Sequence, residues 1–205
     1  MTTKLVQATT LVRMFKYLAL VAACLPMAVA ISACNQASAA ALTQTQVERG
    51  KMLVIGGACH DCHTPKKFGP NGPEPDMDRM LSGHPEDIKV SAPYRPTAGS
   101  PWVYGVSADL TAWSGPWGVS FPANLTPDTL TGLRSGVWTE ELFIKALRTG
   151  KHLGIAREIL PPMPWNFYGQ LSDADLKAIW AYLGTIRPIK NHVPDPIPPA
   201  EEPAT

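Results

Sequence analysis

Cysteine is scarce in this chain, and neither sign of charge dominates. The formal net charge is +1, with four cysteines among 205 residues. Lys4, Arg13 and Lys16 precede residue 40 in a stretch without acidic residues, and the remainder holds 15 basic and 17 acidic residues. A nucleic-acid-binding protein would cluster Lys and Arg to displace counterions. The near-neutral composition therefore argues against nucleic acid as a partner.

The chain also lacks an apolar run that would cross a membrane comfortably. Its most apolar stretch, from Tyr17 to Ala33, contains Pro26 and is short of the roughly 20 residues that a spanning helix needs. A basic region, an apolar stretch and then small residues are typical of a secretion signal. We therefore expect residues 1–33 to be a signal peptide, with an uncleaved membrane anchor as the alternative.

Two cleavage sites compete at the end of this signal. The run from Ile31 to Cys34 (ISAC) resembles the lipobox of bacterial lipoproteins, in which Cys34 would carry the lipid. The run from Ala37 to Ala39 (ASA) instead suits ordinary signal peptidase. Lipidation is the favoured interpretation, with residues 34–43 as a short tether that holds the mature protein at the membrane.

Only two cysteines, Cys59 and Cys62, remain for the folded domain, and they lie in the run CHDCH that ends at His63. C-x-x-C-H is the pattern of covalent c-type haem attachment. Two thiols one helical turn apart can bond the two vinyl groups on one haem edge, which places the next side chain, His63, under the iron. The sequence therefore predicts one covalent haem c with His63 as its proximal ligand.

Two other kinds of site use paired cysteines. A structural zinc site needs four ligands, usually as two pairs, and the chain has no second Cys pair in the domain. A redox-active C-x-x-C would sit in a thioredoxin-like βαβ pattern, which the sequence does not show. Haem attachment is therefore the favoured interpretation.

A sixth iron ligand is expected from Met163, which lies in the proline-rich run from Ile159 to Trp165 (ILPPMPW). Prolines fix φ and favour extended backbone before them, so this strap can deliver one side chain to a fixed point. A thioether ligand raises the reduction potential. The alternatives are Met77, Met80, His84, His152 and His192, whereas Met52 is expected in the core.

Three segments carry helix start and stop signals. The first begins at Thr45 and leads into the attachment motif. The second runs between a Thr139 cap and Gly150, and the third between a Ser172 cap and Gly184. Short helices with apolar faces must pack on a common partner. We therefore expect one mostly α domain over residues 44–190.

The stretch between the first and second predicted helices is rich in Pro and Gly. We expect it to hold an insert at about residues 64–117. Short strands are expected in this stretch at Val103–Tyr104, Leu110–Trp113 and Val119–Phe121. Residues 191–205, rich in Pro, Ala and Glu, are expected to form a disordered tail.

Several motifs resemble those of one known family. They are C-x-x-C-H followed by Thr64-Pro65, the run from Pro161 to Trp165 (PPMPW) and the run from Leu176 to Leu183 (LKAIWAYL). Their order looks like a bacterial class I cytochrome c domain. More narrowly, the chain resembles cytochromes found with periplasmic dehydrogenases, in the runs NLTPD at 124–128, WTEE at 138–141 and LRTGKH at 147–152.

The resemblance implies a helical shell around one haem, ligated by His63 and Met163. It also implies that the first and last helices cross at small residues such as Gly50, packed against Trp180 and Tyr182. Arg134, Trp138, Trp165 and Tyr168 are candidates for hydrogen bonds to a haem propionate, although simple packing explains each equally well.

Electron transfer is the function that these observations predict. A haem with both axial positions filled leaves no place for a substrate, so the chain should be a carrier and not an enzyme. Its partners would be a donor dehydrogenase and a respiratory acceptor on the periplasmic side of the cell envelope. The alternatives are a haem enzyme or ligand sensor with an exchangeable sixth ligand, and a non-catalytic subunit of a larger dehydrogenase.

Overall fold

A computed structural model describes residues 43–90, 93–94 and 99–199. The predicted signal peptide at residues 1–33, Cys34 and the tether up to residue 42 lie outside the described residues. Within the described ranges, no helix is both long enough and apolar enough to cross a membrane.

The helices are α1 at residues 43–56, α2 at Cys59–His63, α3 at Glu140–Thr149, α4 at Trp165–Tyr168 and α5 at Asp173–Leu183. Two of the expected helix starts are confirmed. The Thr139 hydroxyl accepts from the Leu142 amide at 3.2 Å, and the Ser172 hydroxyl accepts from the Asp175 amide at 3.1 Å. The expected cap at Thr45 is wrong, because the backbone is already helical at residue 43.

Helices α1 and α5 meet at Gly50, as the resemblance implied. A Cβ atom at Gly50 would lie 1.9 Å from the carbonyl oxygen of Ala178 and 2.9 Å from Cβ of Tyr182. Arg49 reinforces the crossing with an ion pair to Asp175 at 2.9 Å. The core beneath is formed by Val54, Leu81, Leu133, Phe143, Leu147, Leu176, Ile179, Trp180, Tyr182, Leu183 and Ile186.

Among the described residues, five short strands form two antiparallel sheets. Strands β1 (Lys66–Gly69) and β2 (Gly72–Pro75) make a hairpin that the sequence did not predict. Strands β3 (Gly105–Val106), β4 (Trp113–Gly115) and β5 (Gly118–Ser120) form a three-stranded sheet in that order. Each of these three strands lies within three residues of an expected strand. The expected start of the middle strand at Leu110 is wrong, because Leu110 has a positive φ of 58° and is not in an extended conformation.

The insert contributes to the buried interior. Residues 81–85 are all buried, although they show no helical or strand periodicity. The Leu81 amide donates to the Thr64 hydroxyl at 3.0 Å, and the Gly83 amide donates to the His63 carbonyl at 2.9 Å. The insert therefore packs directly behind the attachment motif.

Residues 191–205 were expected to form a disordered tail, but residues 191–199 make specific hydrogen bonds to the rest of the domain. The side-chain amide of Asn191 donates to the carbonyls of Ser82 at 2.7 Å and His84 at 2.8 Å, and its oxygen accepts from the Glu86 amide at 2.9 Å. Composition suggested disorder because prolines cannot donate hydrogen bonds. The residues between them donate instead, and they tie this segment to the insert.

Replacing Asn191 with alanine should lower the free energy of unfolding by on the order of 2–3 kcal/mol. The change leaves the buried carbonyls of Ser82 and His84 and the part-buried amide of Glu86 without their partner, and Asn191 itself is only 7% exposed. Urea unfolding of the two proteins measures the difference. Asn166→Ala is the control, because Asn166 is exposed, and it should change stability by less than about 0.5 kcal/mol. Equal effects of the two substitutions would contradict the prediction.

Candidate haem-binding site

The attachment motif forms helix α2, which follows α1 after a sharp turn. Ala58, directly before α2, takes a left-handed conformation with φ 56°. Cys59 and Cys62 are half-buried free thiols, and His63 is buried with 8% of its surface exposed. The two thiols therefore lie at the surface end of the site and the imidazole lies inside.

The His63 ring has a fixed orientation. Its Nδ1 donates to the carbonyl oxygen of Ala123 at 2.8 Å, and within the described chain the ring makes no second hydrogen bond. Burial lowers the pKa of His63, which favours the neutral ring. Nε2 then carries the free lone pair, and this is the state in which an imidazole binds a metal ion.

The segment that carries Ala123 is itself held by the insert. The His84 amide donates to the Pro122 carbonyl at 3.1 Å, and the Leu125 amide donates to the Leu81 carbonyl at 2.9 Å. Since Gly83 also bonds the His63 backbone, both ends of the His63–Ala123 hydrogen bond are tied to residues 81–84. The insert thus fixes the imidazole, a role that sequence reasoning did not assign to it.

The two thiols lack the electrostatics of a reactive dithiol. Burial raises the pKa of Cys59 to about 11, and burial also raises the pKa of Cys62. Redox-active C-x-x-C motifs show the opposite shift, because their chemistry uses the thiolate. Among the described residues, no three His, Cys, Asp or Glu side chains gather into a group that could hold a metal ion.

Helix α4 packs on the attachment motif. The Tyr168 hydroxyl donates to the carbonyl oxygen of Gly57, two residues before Cys59. Burial raises the pKa of Tyr168 to about 12, so the hydroxyl stays protonated and remains a donor at neutral pH. Because α4 begins two residues after Met163, this contact brings the proline-rich strap to the motif across 111 residues of sequence.

The methionine candidates differ in their surroundings. Met163 and Met80 are half-buried and pack on the same hydrophobic core as Cys59. Met77 is 57% exposed. Met52, expected in the core, is 64% exposed, because it lies on the outer side of α1. Coordination of iron by Met163 stays a prediction.

The histidine alternatives have other contacts. His84 is fully buried, with Nδ1 hydrogen-bonded to the Thr111 hydroxyl at 2.8 Å and Nε2 to the Ile88 carbonyl at 3.0 Å. His152 packs edge-on against Trp138, with ring centroids 5.0 Å apart. Protein groups thus already account for the positions of both rings.

Two of the propionate candidates have partners in the protein. The guanidinium of Arg134 stacks on the Trp180 ring at 4.5 Å, and the Tyr168 hydroxyl bonds Gly57. The residues that support the site without having been predicted are Ala123, through its carbonyl, and Leu81, Gly83 and His84, through their backbone. No local sequence pattern could have identified the Ala123 carbonyl, because its hydrogen-bond donor, the His63 ring, lies 60 residues away.

The residues at this site fit a covalent haem. Two neighbouring thiols can form thioether bonds, and an oriented imidazole offers its free Nε2 beside them. Half-buried apolar and aromatic side chains pack on the same hydrophobic core as Cys59, among them Leu53, Leu125, Trp138, Ile144, Met163, Trp165 and Tyr168.

The chain is similar to curated subunits of dehydrogenases. The chain is 25% identical over 177 residues to a subunit of nicotinate dehydrogenase from Pseudomonas putida, a match that covers 86% of this chain and 12% of that protein. It is 28% identical over 144 residues to the fructose dehydrogenase cytochrome subunit of Gluconobacter japonicus, covering 70% and 22%. It is 36% identical over 83 residues to the cytochrome c subunit of the quinone alcohol dehydrogenase of Gluconobacter oxydans, covering 39% and 17%.

These relatives support a cytochrome c domain. The matches cover between 12% and 22% of the length of these three relatives. No protein-family model matches the chain. The cytochrome subunits among the relatives imply haem c as the cofactor and an electron carrier as the kind of protein.

Proposed function

We propose that this cytochrome c domain carries electrons through one haem c, attached at Cys59 and Cys62 and ligated by His63 and Met163. The observation that carries the proposal is the hydrogen bond from His63 Nδ1 to the Ala123 carbonyl, which leaves Nε2 free beside two thiols. When bound, the haem supplies a one-electron ferric/ferrous couple. The chain's own part is to hold the ring orientation and to exclude water.

Two observations support Met163 as the sixth ligand. The strap that contains it joins α4, whose Tyr168 bonds the turn before Cys59. Met80, in contrast, directly precedes residues 81–84, which support the His63 backbone and the Ala123 segment. Met80 thus belongs to the side of the site that holds the proximal ligand, whereas Met163 arrives from a separate element.

The relatives support a role beside a dehydrogenase. Two of them are cytochrome subunits of dehydrogenases by name. We infer that this chain receives electrons from a dehydrogenase of the cell envelope, as its subunit or its acceptor, and passes them to a respiratory protein.

The test is the absorbance of the purified protein before and after dithionite, combined with acid–acetone extraction. We expect a reducible c-type spectrum and haem that stays with the protein, and both should be lost in a Cys59→Ala, Cys62→Ala double variant. Haem that extracts freely from the wild type would contradict covalent attachment. Rapid binding of carbon monoxide to the reduced wild type would instead support an open sixth site, as in a haem enzyme or sensor.

Location is a separate prediction. If Cys34 is lipidated, the protein expressed with its own signal should be found in the membrane fraction, and Cys34→Ser should move most of it to the soluble fraction. Several acyl chains hold a protein firmly at a membrane, whereas one does so only marginally. Cell fractionation and mass determination of the N-terminus measure this. A soluble wild type that starts at Ala40 would show ordinary signal cleavage.

A further inference from the structure

The strap before Met163 has few hydrogen-bond donors of its own. Pro161, Pro162 and Pro164 carry no amide hydrogen, so between Ile159 and Trp165 only Leu160 and Met163 can donate from the backbone. The Ile159 amide donates to the Gly150 carbonyl at 2.7 Å, which fixes the start of the strap at the end of α3. Within the described residues, neither the Leu160 amide nor the Met163 amide donates a hydrogen bond, so a further tie to another element comes through a strap carbonyl that accepts one.

Ser120, the last residue of β5, supplies such a tie. Its side-chain hydroxyl donates to the carbonyl oxygen of Pro161, two residues before Met163. The Trp113 carbonyl is the other acceptor in reach, at 3.3 Å, and it lies farther away. Ser120 is buried, with 8% of its surface exposed, and Pro161 is exposed, so the bond lies at the edge of the buried interior.

The chain after residue 192 holds β5 from the other side. The Val119 amide donates to the Ile197 carbonyl at 2.8 Å, and the Ile197 amide donates back to the Val119 carbonyl at 3.0 Å. Gly118 permits this approach, because a Cβ atom there would lie 2.0 Å from the Ile197 carbonyl oxygen. Strap and tail together line a groove of about 350 Å³, with Trp117, Leu160 and Pro196 among its walls.

We propose that Ser120 is a positioning residue for Met163, and that the bridge between Val119 and Ile197 keeps Ser120 in place. Strands β3 to β5 and the C-terminal segment thereby act as a brace. The brace holds the strap in the position that presents the Met163 thioether. This inference rests on the proposed ligation by Met163. It gives the three-stranded sheet, which begins in the second half of the insert and ends at Ser120, a function that the sequence did not reveal.

The first test compares Ser120→Ala with wild type in the full-length, haem-loaded protein, using imidazole as a competing ligand of the ferric iron. Loss of the hydrogen bond frees the strap, so imidazole should bind about three- to tenfold more tightly. Exchange of the amide hydrogens of residues 160–165, followed by mass spectrometry, should become faster. Ser120→Thr keeps the hydroxyl and should restore both values towards those of the wild type.

Ser114→Ala is the matched control. Ser114 is equally buried on the adjacent strand β4, but its hydroxyl accepts from the Tyr94 amide and has no bond to the strap. We expect this variant to lose stability without tighter imidazole binding. If Ser120→Ala binds imidazole as the wild type does, or if Ser114→Ala matches its increase, the positioning role is wrong.

Ile197→Pro tests the outer part of the brace. This change removes one amide hydrogen bond to Val119 in a segment that already contains Pro196 and Pro198, and imidazole binding should again tighten. If Ile197→Pro binds imidazole as the wild type does, the proposed role of the Val119–Ile197 bridge is wrong. Failure of Met163 ligation itself would be visible separately, as a wild-type ferric protein without the near-infrared band of a thioether ligand.

Discussion

Replacing Met163 with alanine is expected to abolish the near-infrared band of thioether-ligated ferric iron and to lower the reduction potential. A thioether stabilises ferrous iron, so its loss moves the potential downward. We expect a change of at least about 0.1 V, a fraction of the roughly 0.8 V over which axial ligands set haem potentials in proteins. Absorbance spectroscopy and potentiometric titration measure the two effects.

Met80→Ala and Met77→Ala are the controls for that experiment. Met80 packs on the same core as Met163, and Met77 is largely exposed, so the pair separates loss of packing from loss of a ligand. Both variants should keep the band and the potential. A band that survives in Met163→Ala and disappears in Met80→Ala would transfer the ligand role to Met80.

Replacing Gly50 with alanine should destabilise the fold by about 3 kcal/mol, at the upper end of the usual cost of overpacking. In an ordinary helix the same change gains about 0.5–1 kcal/mol, because glycine is a poor helix former. Here the added Cβ would lie 1.9 Å from the Ala178 carbonyl oxygen, and a backbone atom of a neighbouring helix cannot rotate away. Guanidinium unfolding of the haem-loaded protein measures the loss.

Gly56→Ala provides a matched comparison in the same helix. A Cβ atom at Gly56 would have no neighbour within 4 Å, so only the gain in helix propensity remains. This variant should be unchanged or slightly more stable. Two glycines of one helix are therefore expected to respond with opposite signs. Similar responses at both positions would mean that α1 and α5 are not packed together at Gly50.

The sequence predicted the elements whose signals are local. Thr139 and Ser172 cap helices within three residues of themselves, and Gly150 ends α3 in a left-handed conformation, so these boundaries could be recognised from short patterns. Thr45 had the same pattern, but the helix extends past it. A capping pattern shows only where a helix is able to begin.

The buried part of the insert could not be predicted because its stability comes from distant partners. Residues 81–85 contain serine, glycine, histidine and proline, a composition that indicates a loop. Their backbone groups are satisfied by Asn191 and by Pro122, far along the chain. For the same reason the tail was expected to be disordered, since Asn191 and Ile197 stabilise it through distant partners such as Ser82, Thr131 and Val119.

The candidate site, too, combines residues that a local pattern reveals with residues that only distant contacts reveal. C-x-x-C-H marks Cys59, Cys62 and His63 by spacing alone, because the chemistry itself requires adjacent groups. The carbonyl of Ala123 and the hydroxyl of Ser120 act on this chemistry without any pattern of their own. They could be found only once the backbone path was known.

The long sequence separations within the site also bear on the order in which the protein matures. Ala123 lies 60 residues after His63, Tyr168 lies 111 residues after Gly57, and Asn191 lies 109 residues after Ser82. Contacts of this kind close late and slow the folding of a domain, because each must first overcome the entropy of a large loop. If the chain is exported as its N-terminus predicts, the CHDCH run emerges well before its native surroundings exist. Its thiols stay accessible for bond formation during that interval, and folding then encloses the imidazole.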